Sequence, residues 1–149
     1  MSEASLAAAI RQIAPLLPVP MDLTLLVCSL AASLGKNLQV TGAPFSSGST
    51  TGALIRGSDG DLIIIFDDGA DPAHQLHIVL HEVGHLLLEH QLITVSAEEI
   101  PNLLTHPLRC PQPPEQEVAA EEFATAIAAI VSVMPADLSE RSRSSSILL

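Results

Sequence analysis

The chain has 149 residues, 48% of them hydrophobic and 15% charged, with 17 Asp and Glu against six Lys and Arg for a net charge of −11. That length and apolar content predict one domain with an ample core and exclude a disordered acidic tail. So acidic a chain, with Phe45, Phe66 and Phe123 as its only aromatics, does not suit nucleic acid or an anionic membrane surface. Cys28 and Cys110 are far apart and form no CxxC pair, which argues against a disulfide framework and for a reducing compartment, the cytoplasm.

The N-terminus lacks a basic flank, carries Glu3, and is broken by Pro15, Pro18 and Pro20, so no secretory signal is expected. A first helix is predicted over 3–13. A second runs over 23–34, where Leu23, Leu26, Val27, Leu30 and Leu34 recur on one face. Asp22 caps its start and Gly35 ends it. It is too short to span a bilayer, and Cys28 within it is expected in the core.

Residues 37–42 read as a strand and 43–52 as a Gly, Ser and Thr loop. A hairpin follows: GALIRG, the turn SDGD and the strand LIIIF at 62–66. Asp71 followed by Pro72 starts a helix predicted to reach about Gln91. Five prolines between residues 98 and 114 exclude regular structure there. A last helix is predicted from Glu115 to Val133, stopped by Pro135, with 136–149 as a flexible tail. The sum is a single α+β domain over 1–149, with helices packed on a small antiparallel sheet.

The sharpest motif is HEVGH at 81–85, an HExxH pattern. On a helix, His81 and His85 lie one turn apart on one face and together can hold a zinc ion. Glu82, rotated by about 100° from His81, is aimed at a water on the metal rather than at the metal, as a general base. Leu76, Val79, Leu80, Val83, Leu86 and Leu87 pack the helix from below. Gly84 lowers helix propensity, and the expected gain is close approach by a neighbouring segment.

A zinc hydrolase of this kind needs a third protein ligand and an open fourth position. The last helix offers EQEVAAEE, in which Glu117 and Glu121 share a face. As in the ExxxD arrangement of related zinc sites, Glu117 is the expected ligand and Glu121 the acid that hydrogen-bonds a ligand histidine. Glu115 and Glu122 are the alternatives.

These stretches resemble the ImmA/IrrE family of cytoplasmic metallopeptidases. HIVLHEVGHLLLEH is similar to that family's HExxH helix. EVAAEEFA is similar to its second-helix pattern, with Glu117 at the metal-binding Glu, Ala120 at the Ala, and Phe123 and Ala124 at the Phe-Ala. The hairpin ending in LIIIF falls where the family has its sheet. Glu121 stands where the family has Asn or Asp, and Met134-Pro135 comes later than the family's Leu-Met-Pro.

The resemblance implies a minimal zincin-like fold, one zinc ion and endopeptidase cleavage of a helix-turn-helix repressor. The alternative is an inactive relative, as in toxin–antitoxin pairs, that acts by binding a DNA-binding regulator. A substrate peptide is expected to pair with Leu62, Ile63, Ile64, Ile65 and Phe66 as an edge strand. The chain has no Tyr, so the group stabilising the oxyanion must be His, Arg or backbone. His77, one turn before His81 on the same stripe, is the first choice; His74 is a turn earlier, and His90 and His106 carry no spacing argument. His106 and Arg109 belong to the Pro-rich loop, as does Cys110, whose thiolate is a candidate cap for the open metal position.

Overall fold

The computed structural model describes residues 5–45, 52–99 and 113–148. Helix α1 (Leu6–Ile13) leads into α2 (Leu23–Leu34) and strand β1 (Leu38–Ala43). Strands β2 (Gly52–Gly57) and β3 (Leu62–Asp67) precede α3 (Pro72–Leu87), the short β4 (Ile93–Val95) and α4 (Pro114–Leu148). His106, Arg109 and Cys110 lie outside the described residues.

Local chemistry sets most boundaries. The Asp22 side chain accepts from the Leu25 N–H, and Gly35 closes α2 at a φ of 65°. Asp71 accepts from the His74 N–H at 3.0 Å, and Pro72 occupies the first turn of α3, where its missing N–H costs nothing. Asp59 folds the hairpin turn by accepting from the Asp61 N–H, and Gly60 takes a φ of 95°.

The fold is α+β, as expected, but the sheet is mixed rather than antiparallel. Its strand order is β1-β3-β2-β4. Among the described strands only the β2–β3 hairpin is antiparallel; β1 runs parallel to β3, and β4 parallel to β2. Leu62–Phe66 is therefore not an edge strand. Its backbone is paired on one side from Leu38↔Leu62 onward and on the other from Gly52↔Phe66 onward, leaving no ladder for a substrate peptide. The unbroken run LIIIF carries that meaning, since a strand enclosed by the fold lacks polar alternation.

Among the described residues, all four α-helices contribute to one core on a single face of the sheet, centred on Leu26, Leu30, Leu62, Ile64, Leu80, Val83, Phe123 and Ile127. Ile55, Ile65 and Val95 form a smaller cluster apart from it. Cys28 is exposed, against expectation, because it lies about 200° around α2 from the buried Leu26. Two helix ends also differ. Helix α3 stops at Leu87, short of Gln91, where Glu89 adopts a φ of 62°. Helix α4 continues through Pro135, whose fixed φ is compatible with a helix although its ring removes one backbone hydrogen bond.

Helix α3 packs directly against α4. A Cβ on Gly84 would lie 3.0 Å from Phe123 Cδ1, 3.2 Å from the Ala120 carbonyl oxygen and 3.3 Å from Ala120 Cα. Gly84 is thus the point of close approach foreseen from its cost in the helix. Replacing it with valine forces the helices apart. Urea unfolding of Gly84→Val is expected to show a loss of about 1–3 kcal/mol; unchanged stability would show that the contact is slack.

Candidate metal centre

Three side chains from α3 and α4 converge. His81, His85 and Glu117 present donor atoms that all lie within 4.8 Å of one another, a group able to hold a metal ion. His81 Nε2 is 3.1 Å from Glu117 Oε2, and His85 Nε2 is 3.1 Å from Glu117 Oε1. The two Nε2 atoms are 3.2 Å apart. Glu117 reaches them because it precedes Ala120 by three residues on α4, and His81 and His85 flank Gly84 on α3. The competing acids Glu115 and Glu122 are exposed and outside the group.

The other ring nitrogen of each histidine is engaged away from the centre. His81 Nδ1 lies 3.3 Å from Glu121 Oε2. Glu121 thus touches a histidine of the group without belonging to the group itself. His77 Nε2 also meets Glu121, through Oε1, so His77 stands outside the triad with one nitrogen committed to holding that carboxylate. His85 Nδ1 lies 2.8 Å from His90 Nδ1. With protons on the two Nδ1 atoms, the lone pairs of both Nε2 atoms face the Glu117 carboxylate, and a cation relieves their mutual repulsion.

The surroundings keep one ring of the group uncharged and the carboxyl behind the other ring charged. Burial pushes the pKa of His85, 3% exposed, down to about 4; the Glu117 charge opposes this and the charges of His81 and His90 add to it. The ring is held neutral, as a ligand must be. Partial burial works against the charge on Glu121. The hydrogen bond from His77, with the charges of His77 and His81, outweighs it and holds the carboxyl below its usual range.

Glu82 sits one residue from His81 and is 9% exposed. Burial, reinforced by the Glu117 charge, pushes its pKa up to about 8. A dication at the neighbouring triad acts in the opposite sense and favours the carboxylate.

Two contributors were not singled out in the sequence as parts of the site. A Cβ on Gly52 would lie 2.4 Å from Ile78 Cγ2 and 3.3 Å from Glu82 Oε2, so this residue must be bare to sit against Glu82. Its only signal was its position at the start of a strand facing the motif helix. His90 lies beyond the helix end, where helical spacing says nothing. Beside Glu121, an open hollow of about 410 Å³ is lined by Val118, Glu121, Glu122, Thr125 and Ala126.

Compared with known proteins, the chain matches no family model and no curated protein. No helix among the described residues is long and apolar enough to cross a membrane.

The raised pKa of Glu82 predicts a pH dependence for the metal-free protein. Glu82 binds its proton more tightly folded than unfolded, so its contribution to stability is fully present below the usual value near 4.5. That contribution is lost as pH rises through about 8. In chelator, Glu82→Gln is expected to unfold at higher urea than wild type at pH 8.5, with the gap closing at pH 5. Equal pH profiles for the two proteins would refute the buried, protonated state.

Proposed function

We propose that this chain is a zinc-dependent endopeptidase acting on a regulatory protein in the cytoplasm, of the helix-turn-helix repressor class. The observation that carries the reading is the meeting of His81, His85 and Glu117 beside a buried carboxyl, Glu82. Ligand atoms arranged tetrahedrally around zinc, with bonds of about 2.0–2.1 Å, lie about 3.3 Å apart. The two Nε2 atoms, 3.2 Å apart, match that spacing, and each lies 3.1 Å from a different oxygen of the Glu117 carboxylate. Two imidazoles and one carboxylate are also the donor set of hydrolytic zinc sites that keep a fourth position open.

Zinc, when bound, supplies a Lewis acid that polarises a carbonyl and acidifies water. The protein's own groups do the rest. His81 and His85 offer neutral Nε2 atoms, and Glu117 offers one negative charge, so a dication there keeps net positive charge. Glu82 is the proton carrier: poised between a burial that favours its acid form and a dication that favours its base form, it takes a proton from water and returns it to the leaving amine. Glu121, held by His77, orients His81. Gly52 leaves Glu82 unobstructed from the sheet side.

The substrate class rests on the ImmA/IrrE resemblance and on charge. A net of −11 suits a basic partner and speeds its encounter. The hollow beside Glu121 gives room for an apolar side chain.

Purified protein is expected to hold one zinc per chain, lost in Glu117→Ala. It is expected to cleave a helix-turn-helix repressor. Glu82→Gln should keep its zinc and lose about 10²–10⁴-fold in kcat/KM, the range for removal of a general base. A protein without zinc under zinc-replete conditions, or cleavage undiminished in Glu82→Gln, contradicts the reading. Zinc with repressor binding but no cleavage would favour a non-catalytic binding module.

A further inference from the structure

Helix α3 ends in an uncommon way. Its cap is Leu88, and the next residue, Glu89, takes the left-handed φ of 62° usually left to glycine. The Glu89 N–H donates to the Leu86 carbonyl at 3.2 Å and the His90 N–H to the His85 carbonyl at 3.0 Å. That pair of bonds is a Schellman cap. In such a cap the second residue beyond the end folds back onto the third residue from the end, and the two side chains ordinarily form an apolar contact.

Here the two residues are His90 and His85. Both are buried, at 4% and 3% exposure. Their ring centroids are 5.0 Å apart with the planes inclined at 63°, and their Nδ1 atoms are 2.8 Å apart. Two imidazole nitrogens at that distance share one proton between them, one ring donating and the other accepting. If His90 donated, the proton of neutral His85 would lie on Nε2, pointing at His81 and Glu117. If His90 accepts, His85 Nε2 keeps its lone pair.

We infer that His90 is a positioning residue for the metal centre: its Nδ1 accepts the hydrogen bond from His85 Nδ1–H and fixes the ring and tautomer that turn the His85 Nε2 lone pair toward the metal. This rests on the metal-site reading above and adds a residue to it. The two ligand histidines are then held by different chemistry. His81 is backed by the Glu121 carboxylate, His85 by an imidazole delivered by the helix cap. The cap explains why the residue is found outside any helical spacing: the left-handed turn at Glu89, rather than the 3.6-residue period, brings it under His85.

The test is zinc affinity of the full chain, measured by competition with a chromophoric chelator, together with the visible spectrum of the cobalt(II) form. His90→Phe fills the space without an acceptor. It is expected to weaken zinc binding 10–100-fold, the usual effect of losing such a partner, and to alter the cobalt spectrum. Its metal-free urea midpoint should stay near that of wild type. His90→Gln offers an amide oxygen to His85 Nδ1–H and is expected to restore most of the affinity. Nitrogen-15 NMR of zinc-loaded wild type reads the tautomer without any substitution, and should show His85 protonated at Nδ1. Zinc bound equally by wild type and His90→Phe, or His85 protonated at Nε2, overturns the role of His90 while leaving the site standing. Absence of zinc from wild type overturns the site itself.

Discussion

The approach of α3 to α4 at Gly84 is the constraint on which the rest depends. Any side chain there would enter the space of Phe123 and the Ala120 backbone. The residues on both sides of the contact are placed by it: His81 and His85 flank Gly84, and Glu117 and Glu121 flank Ala120. With the helices so near, a Glu side chain spans the gap and meets two imidazoles at 3.1 Å. Phe123, fully buried, fills the space beside the glycine and keeps the contact packed. The core and the candidate metal site are therefore two consequences of one helix pairing.

Electrostatics then gives the pairing its chemistry. Three acceptors face one another, each secured from behind or by its own helix. Glu121 and His77 stand behind His81, and His90 stands behind His85. The arrangement is costly without a cation, because lone pairs and a carboxylate are pressed together in a partly desolvated place. Glu82 adds a buried acid whose proton is held by burial and by the Glu117 charge. Each of these tensions is relieved by positive charge at one point.

Much of this was legible in the sequence because it is local. Asp22, Gly35, Asp71 and Pro72 mark helix ends through contacts within a turn of the chain. His81 and His85 declare themselves by helical spacing, and Glu117 with Glu121 by theirs. The misreadings come from long-range partners or rare backbone states. Parallel pairing of β1 with β3 depends on strands separated by β2, which local pattern cannot register. Strand β4 is only Ile93–Val95, too short for a period. Glu89 in a left-handed turn breaks the rule that glycine marks such ends, so α3 stops early and no spacing argument ties His90 to the site. Cys28 was assigned to the core by its apolar neighbours, although its own angle on α2 faces outward.

The central claim, that α3 and α4 assemble a two-histidine, one-carboxylate zinc centre, is tested most directly by X-ray absorption at the zinc edge of the loaded protein. The account predicts about four nitrogen and oxygen atoms at about 2.0–2.1 Å, with the outer-shell signals of two imidazoles. A sulfur ligand at about 2.3 Å, or a shell without imidazole signals, would contradict it.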